Sequence, residues 1–270
     1  FLIEMENKKI FIFTDLDGSL LHRETFDFDI IKDFIIECHK SKIIIVPNSS
    51  KTKKEIEVFL DELGLKLPFI VENGSAIYGL NLLGEHLPKT KVLSKSKNEV
   101  WEIFEKNFNQ NKIINFKFLN NLEEQEISTI LNLPMNKVKN AMNRNYTFPF
   151  LFLGDQNEKY QIINEASSIG LNIQEGGRIM TLGDKLNKSS AMLDFLKYFN
   201  KSETIIIGIG DNKNDIEMLD SSDFPCLVKN NKFNYKNLIA QNYTLSSSEA
   251  PEGWREVVSE VLIKLNFFGS

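Results

Sequence analysis

The chain has 270 residues, of which 42% are apolar and 26% charged, as in an ordinary globular protein. This length allows one large domain or two domains of moderate size, each with its own core. A net charge of -5 argues against a nucleic-acid-binding surface. Two cysteines, Cys38 and Cys226, are too few for a disulfide framework, and their apolar neighbours favour buried, reduced thiols.

Membrane and export signals are weak in this sequence. No apolar run approaches the roughly 20 residues that a membrane-spanning helix needs. The opening segment FLIEMENKK is too short and too acidic for a signal peptide. The sequence therefore predicts a cytoplasmic protein that makes no contact with a membrane.

The first quarter of the chain alternates strand and helix signals. Apolar, β-rich runs at residues 9–14, 42–48 and 68–72 predict three strands. Residues 29–40 have apolar side chains at helical spacing, and TKKEIEVFLDELG predicts a second helix with a threonine cap and a terminating glycine. Strands made of continuous Ile and Val runs between helices are covered on both faces, so we predict a parallel sheet.

The middle of the chain, residues 84–181, has a different pattern. Helices are predicted at residues 96–110, 122–132 and 134–142. Single strands are predicted in NFKFL, PFLFLG, LNIQEGG and RIMTL. We interpret residues 84–181 as an α+β module inserted into the sheet domain.

The last third returns to alternating strands and helices. A helix at about residues 187–199 precedes the strand TIIIGIG, the helical start DNKNDIEML and the short strand FPCLV. Pro251 then begins a final helix in PEGWREVVSEVLIKL. The sequence thus predicts an α/β fold in which residues 1–83 and 182–270 form the parallel-sheet core.

Two aspartates, Asp15 and Asp17, follow the first predicted strand in FIFTDLDGSLL. Two like charges this close repel each other, and each is costly to bury, so the pair calls for a cation or for water. A turn after a strand explains the DLDG segment about equally well, but an EF-hand does not, because Phe26 stands at the twelfth position. The carboxyl end of a parallel strand, where open α/β sheets bind ligands, favours a functional site.

Polar and charged residues also stand at other predicted strand ends. Ser49 and Ser50 follow the second strand, where a hydroxyl could bind a phosphate oxygen or simply form a turn before a helix. Asp211 follows TIIIGIG, and Asp215 would share a helix face with it. GIGDNK is not a dinucleotide fingerprint, because a lysine stands where the third glycine belongs. Lys188 opens a helix, although a single lysine is most simply a solvated side chain.

Together these strand ends predict one site. Four carboxylates form a hard oxygen site of the kind that Mg²⁺ prefers, and a lysine and a hydroxyl complete a cradle for a dianionic group. A cation between the two neighbouring aspartates would explain why they are tolerated. The predicted metal ligands are Asp15, Asp17, Asp211 and Asp215.

Taken in chain order, these residues resemble the four motifs of the haloacid-dehalogenase superfamily of phosphohydrolases. The matching segments are DLDGS, the strand-end Ser49, Lys188 and GDNKND. The resemblance implies a Rossmann-like core and identifies residues 84–181 as a type-2 cap that covers the site and selects the substrate. It also implies Mg²⁺ as cofactor and hydrolysis through an aspartyl-phosphate intermediate.

The same resemblance implies roles for individual residues. Asp15 would attack phosphorus, and Asp17 would act as general acid and base while binding Mg²⁺ through its backbone carbonyl. Ser49 and Lys188 would hold the phosphoryl oxygens. Lys185 is the alternative to Lys188, because GDKLNKSS contains both lysines.

Longer stretches resemble the mannosyl-3-phosphoglycerate phosphatases. They are NSSKTKKEIEVFLDELGLKLPFIVENGSAIY, EEQEISTILNLPMNKVKNAMNRNYTFPFLF, EGGRIMTL and APEGWREVV. This resemblance implies a small, acidic, phosphorylated sugar as substrate and mannosylglycerate as product. Phe148 stands where these enzymes usually have an acidic residue, so a glucosyl substrate stays open. Another sugar phosphatase, of the sucrose-phosphate or Cof-like type, and a non-catalytic ligand-binding module are the remaining alternatives.

The basic residues of the inserted module suit an acidic substrate. Arg178 follows two glycines, so backbone N–H groups and a guanidinium could meet a carboxylate together. For this arginine and for Arg144, an ordinary ion pair is an equally good explanation. Nothing in the sequence identifies a protein partner. The predicted substrate-binding residues are Ser50, Asn214, Arg144, Thr147, Gly176, Gly177 and Arg178.

Overall fold

The structure is a computed structural model that describes residues 8–235 and 242–267. Its strands are Lys9–Thr14 (β1), Ile44–Pro47 (β2), Phe69–Val71 (β3), Ala76–Tyr78 (β4), Thr90–Val92 (β5), Phe116–Phe118 (β6), Phe148–Phe152 (β7), Leu171–Glu175 (β8), Met180–Asp184 (β9), Thr204–Gly210 (β10), Phe224–Leu227 (β11) and Thr244–Leu245 (β12). Its α-helices are Asp29–Lys40 (α1), Lys53–Leu63 (α2), Lys97–Asn107 (α3), Gln110–Ile113 (α4), Glu124–Leu131 (α5), Met135–Met142 (α6), Gln156–Ser168 (α7), Lys188–Leu196 (α8), Ile216–Asp220 (α9) and Glu252–Lys264 (α10).

A five-stranded parallel sheet in the order β12-β11-β10-β1-β2 forms the centre of the core. Side chains of β1 alternate between its faces: Ile12 packs with α1, α2 and α10, whereas Phe11 and Phe13 pack with α8 and α9. Burial of each such side chain stabilises the fold by roughly 1.5–3 kcal/mol. The predicted parallel sheet, covered on both faces, is confirmed.

The third predicted strand, β3, exists but is not part of this sheet. One parallel bridge, between Asn48 and Ile70, joins it to the end of β2, and its ladder is antiparallel with β4, which in turn pairs with β5. The reason lies in the turn after β3. Glu72, Asn73 and Gly74 have φ of 46°, 58° and 101°, and three successive residues in or near the left-handed region reverse the chain.

The inserted module is built on a four-stranded antiparallel sheet in the order β6-β7-β9-β8. An aromatic cluster that includes Phe104, Phe116 and Phe150 packs α3 and α7 against it. The sequence analysis missed α7, although Asp155 and Glu158 form a capping box at its start. Helices α5 and α6 form a smaller cluster of their own.

The strand pairings show where the chain passes between core and module. Strand β5 pairs with β4 of the core, and Leu93 and Ser94 both donate backbone hydrogen bonds to Ser75. Strand β9 continues in the module sheet as far as Asp184. The two crossing segments are joined there, because Asp184 accepts hydrogen bonds from the backbone N–H and the Nζ of Lys95, at 2.8 and 2.7 Å.

Both cysteines are buried and free, as the sequence predicts. Burial raises the pKa of Cys38 and of Cys226 to about 12, so neither thiol is reactive at neutral pH. Among the residues that the structure describes, no helix is both long and apolar enough to cross a membrane.

Candidate active site

Asp15 and Lys188 form the buried centre of the site. Asp15 follows β1, and its N–H donates to the carbonyl of Ile209 on the neighbouring β10, which fixes the backbone there. Lys188 is only 1% exposed, and its Nζ lies 2.6 Å from Asp15 Oδ1 and 2.7 Å from Asp215 Oδ1. A buried ammonium without partners would be strongly destabilising, so the two carboxylates hold it charged.

Helix α8 begins where it does for local reasons. Asn187 caps it with a side-chain acceptor for the N–H of Ser190, which places Lys188 in the first turn. The carbonyl of Lys188 accepts a 2.9 Å hydrogen bond from the side chain of Asn48, at the end of β2. Lys185 is exposed on the preceding loop. Of the two candidate lysines, the fold therefore brings Lys188 to the carboxylates.

Burial and neighbouring charges shift the pKa values of this cluster in opposite directions. Burial lowers the pKa of Lys188, but the adjacent Asp15 and Asp215 outweigh burial and raise it overall. Burial raises the pKa of Asp215 to about 6, against the opposing effect of Lys188. The backbone N–H groups of Asp211 and Asn212 each donate to Asp215 Oδ2, at 3.1 Å.

Asp211 reaches the same cluster by a turn and not by a helix. The sequence analysis placed Asp211 and Asp215 on one helix face, and this is wrong, because Asp211 follows β10 directly and residues Lys213–Asp215 form a single 3₁₀ turn. Asn230 donates to Asp211 Oδ2 at 2.9 Å, and the guanidinium of Arg23 forms an ion pair with the same oxygen. Sequence reasoning missed Arg23, which belongs to none of the motifs that it used.

Three carboxylates form a group that could hold a divalent metal ion. One ligand atom from each of Asp15, Asp211 and Asp215 lies within 4.8 Å of the others, and all three residues are buried. Buried carboxylate oxygens in this number are the ligands that hard divalent cations prefer. The side chain of Asp17 does not belong to this group, so only its backbone carbonyl is a candidate ligand.

The side chain of Asp17 instead contacts Lys51. Lys51 Nζ lies 2.9 Å from Asp17 Oδ2 and 3.5 Å from Glu55 Oε1. Burial raises the pKa of Asp17, and Lys51 opposes this rise without cancelling it. Sequence reasoning missed Lys51, although it follows Ser49 and Ser50 directly at the end of a strand.

A cavity of about 440 Å³ lies over these carboxylates, between the core and the inserted module. Four of the predicted site residues do not line this cavity: Ser49, Thr147, Lys188 and Asp215. The last two lie behind Asp15. Residues that the sequence analysis missed also line it, and they include Arg23, Glu24, Lys51, Glu55, Asn73 and Lys232. The predicted residues that do line it are Asp15, Asp17, Ser50, Arg144, Gly176, Gly177, Arg178, Asp211 and Asn214.

Arg144 and Thr147 lie at the junction between core and module. Arg144 Nη1 donates to the carbonyl of Ser50 at 3.2 Å and to Thr147 Oγ1 at 3.0 Å. Thr147 donates its N–H and its hydroxyl to the carboxylate of Glu72, which is only 1% exposed. The hydroxyl of Thr147 is therefore used within the protein, whereas Arg144 also faces the cavity.

Arg178 joins the module to a loop of the core. Its Nη2 donates to the carbonyl of Arg23 at 2.6 Å and lies 3.3 Å from Glu24, and its guanidinium lies 5.2 Å from the ring centre of Phe26. The N–H of the predicted donor Gly176 is bonded within its own loop, to the carbonyl of residue 179.

Comparison with known proteins identifies the family of this fold and site. A family model described as haloacid dehalogenase-like hydrolase matches residues 12–251. The chain belongs to the haloacid dehalogenase-like hydrolase family.

Individual relatives have names that include a substrate. A glucosyl-3-phosphoglycerate/mannosyl-3-phosphoglycerate phosphatase of Persephonella marina is 30% identical over 93% of this chain and 96% of its own chain. A mannosyl-3-phosphoglycerate phosphatase of Pyrococcus furiosus is 29% identical over 80% of this chain and 90% of its own. A solved structure from Streptococcus mutans shares the fold, with a TM-score of 0.68 at 18% identity, over 96% of this chain and 99% of that one.

The family assignment confirms three expectations from the sequence. The resemblance to haloacid-dehalogenase phosphohydrolases is confirmed, as is an α/β core with a parallel sheet. The enzyme class, a phosphatase, is confirmed as well.

Proposed function

We propose that this phosphatase uses Mg²⁺ to hydrolyse a glycosyl-3-phosphoglycerate, with mannosyl-3-phosphoglycerate as the substrate and the glucosyl compound as the alternative. The observation that carries the proposal is the pairing of Asp15 with Lys188 beneath a cavity that Asp17 also lines. The names of two relatives that are 29% and 30% identical supply the substrate class. A cytoplasmic setting, in which both thiols stay reduced, belongs to the same proposal.

The proposed reaction has two steps. The carboxylate of Asp15 attacks phosphorus, the bond from phosphorus to the ester oxygen breaks, and that oxygen leaves with the electron pair and takes a proton from Asp17. Water then attacks the phosphoryl group and gives a proton to Asp17, and the bond to Asp15 breaks with its electron pair returning to the carboxylate. Covalent catalysis of this kind replaces one slow displacement by two faster ones. The raised pKa of Asp17 supports its role as the acid.

Other residues of the proposed site bind the transferred group. Ser49, Lys188 and Asn214 would hold the phosphoryl oxygens. The predicted ligands Asp15, Asp211 and Asp215, with the backbone carbonyl of Asp17, would hold Mg²⁺, which neutralises charge on the phosphoryl group when it is bound. The buried donor set fits this ion because it consists of oxygen atoms alone.

The cavity wall supports an acidic substrate with a bulky organic group. Arg144 and Arg178, with Gly177 beside them, are candidates for the glycerate carboxylate. Apolar side chains near them, among them Leu131 and Ile179, offer a surface for a sugar ring. Phe148 packs 5.1 Å from the ring of Trp101 in the module core, so it acts on sugar preference only through packing.

Phosphate release from purified protein tests this proposal. The substrates would be mannosyl- and glucosyl-3-phosphoglycerate, compared with sucrose 6-phosphate and mannose 6-phosphate, all with Mg²⁺. We expect one or both glycosyl phosphoglycerates to have the highest kcat/KM. A preference for a neutral sugar phosphate would overturn the substrate and leave the phosphatase, and no release from any phosphate ester would favour the non-catalytic alternative.

A further inference from the structure

Lys51 lies against the proposed acid but has no place in the reaction described above. Its side chain is only 11% exposed, and its Nζ is 2.9 Å from Asp17 Oδ2. The ammonium also lies 4.9 Å from the ring centre of Phe26. Burial lowers the pKa of Lys51, but Asp17 and Glu55 outweigh burial and raise it overall, so the side chain stays charged. A nearly buried ammonium with one short contact has a defined position.

The two oxygens of Asp17 differ in their surroundings. Oδ2 is bound by Lys51, whereas Oδ1 is buried and meets no hydrogen-bond donor in residues 8–235 and 242–267. Native proteins rarely leave a buried carboxylate oxygen unpaired, and such an atom in a cavity wall is suited to a ligand. The contact with Lys51 therefore fixes the plane of the carboxyl group and leaves one oxygen for the reacting molecule.

We propose that Lys51 is a positioning residue that holds the carboxyl group of Asp17 in the orientation required for proton transfer. This inference rests on the proposed role of Asp17 as acid and base. Lys188 binds Asp15 and Asp215, so within the described part of the chain Lys51 is the cation paired with Asp17.

Lys51 is itself held by the start of helix α2. Glu55, 3.5 Å from Lys51 Nζ, accepts a 2.9 Å hydrogen bond from the N–H of Thr52 in a capping box. The hydroxyl of Thr52 in turn donates to the carbonyl of Asn140 in α6 of the module, at 2.8 Å. A continuous series of contacts thus links the position of the module to the orientation of Asp17.

Two substrates with different leaving groups separate a positioning role from a structural one. The oxygen of a glycosyl phosphoglycerate leaves poorly unless it receives a proton, whereas p-nitrophenolate leaves p-nitrophenyl phosphate without one. Hydrolysis of the phosphoenzyme needs Asp17 as base with both substrates. Misorientation of Asp17 therefore slows both steps for the first substrate but only the second step for the aryl phosphate.

The experiment compares Lys51→Met and Lys51→Arg with the wild type, and uses Lys54→Met, an exposed lysine three residues further on in α2, as the matched control. Rapid mixing with p-nitrophenyl phosphate measures the first turnover and the steady state separately. For Lys51→Met we expect the first-turnover rate to stay within about 3-fold of the wild-type rate. The steady-state rate should fall about 10- to 100-fold. Lys51→Arg, which keeps a cation, should recover most of that loss, and Lys54→Met should show none.

Three results would overturn the inference. One is an unchanged steady state in Lys51→Met. Another is an equal fall of the first turnover and the steady state, which is what a general loss of structure produces. The third result applies if Lys51→Met does not fold. It is a folded Lys51→Arg variant whose first-turnover rate falls as much as its steady-state rate. Activity of the wild type on the aryl phosphate alone would refute the proposed substrate and leave this kinetic test of Lys51 valid.

Discussion

The carboxylate of Glu72 binds both the backbone N–H and the hydroxyl of Thr147, at 2.9 and 2.7 Å. Glu72 belongs to the turn that follows β3 in the core, and Thr147 leads into β7 of the module. The N–H groups of Asn145 and Tyr146 donate to the same carboxylate, at 2.9 and 3.1 Å. One buried anion thus holds a segment of the module against the core.

Loss of this anion should destabilise the protein. Glu72→Gln keeps the size of the side chain but replaces one acceptor by an N–H₂ group that faces donors. Hydrogen bonds to charged groups are the stronger class, so we expect the free energy of unfolding to fall by on the order of 2 kcal/mol. Urea unfolding followed by tryptophan fluorescence measures this, with the more exposed Glu57→Gln as control. Equal midpoints for both variants would contradict the role of Glu72.

The proposed nucleophile gives the second prediction. Asp15→Asn should keep the fold, because the side chains are nearly equal in size, and should lower kcat by on the order of 10³-fold or more. Steady-state phosphate release measures this loss. With p-nitrophenyl phosphate, whose leaving group needs no proton, Asp17→Asn should form the intermediate but fail to hydrolyse it, so a phosphoenzyme should accumulate and be visible by intact mass. Near-normal turnover in Asp15→Asn would remove Asp15 from the role of nucleophile.

The acidic cluster gives the third prediction. A chelator should abolish phosphate release and Mg²⁺ should restore it, whereas Ca²⁺ should not, because its coordination is looser. Asp211→Ala should weaken Mg²⁺ binding in isothermal calorimetry by more than Asp215→Ala does, and the exposed Asp33→Ala should leave it unchanged. Full wild-type activity in excess chelator would exclude the metal.

Strand ends in the sequence were enough to locate part of this site. Strands β1 and β10 are parallel neighbours in register, so their carboxyl ends bring Asp15 and Asp211 to one edge of the sheet. This placement does not depend on the conformation of the loops. The capping residues of α2 and α8 follow from local hydrogen bonding, so their first turns were predictable too.

The contacts of Arg23 and Lys51 could not be predicted in the same way. Arg23 reaches Asp211 across a large sequence separation, and its guanidinium fills the space that a Cβ would need at Gly18, which has a φ of +86°. That path depends on one left-handed turn and not on periodicity. The hairpin of β3 and β4 likewise depends on a positive φ at Glu72, which is not a residue that a sequence rule assigns to the left-handed region.

Arg178 gives the fourth prediction, which concerns substrate selection. Arg178→Ala should lower kcat/KM for a glycosyl-3-phosphoglycerate by roughly 10- to 100-fold, as expected for about 1.4–3 kcal/mol of charged hydrogen bonding. It should change hydrolysis of p-nitrophenyl phosphate less than about 3-fold, because that substrate has no carboxylate. Arg255→Ala, on the exposed face of α10, is the control. Equal losses for both substrates would assign Arg178 to the contact with the carbonyl of Arg23 instead.

The last prediction concerns stability in acid, and it depends on Glu256 of α10. Hydrogen bonds from Ser248 and Ser247 lower the pKa of Glu256 to about 2, and its carboxylate accepts the N–H of Ser247 at 2.7 Å. A pKa that is lower in the folded state stabilises the fold above the unfolded pKa, near 4.3, and this stabilisation is lost as the pH falls toward 2. Because the side chain is partly exposed and solvent weakens these bonds, we expect Glu256→Gln to cost only about 0.5–1 kcal/mol at pH 6.

That cost should shrink steadily between pH 4.5 and pH 2.5, since over this range Glu256 takes up a proton in the unfolded wild type but stays ionised in the folded wild type, whose pKa is about 2. Urea unfolding of the wild type and of Glu256→Gln at pH 6, 4 and 2.5 measures the difference. Glu252→Gln, an exposed carboxylate in the first turn of the same helix, is the control for charge alone. A difference between the wild type and Glu256→Gln that stays constant over this range would show that the serine hydrogen bonds do not depend on the charge of Glu256.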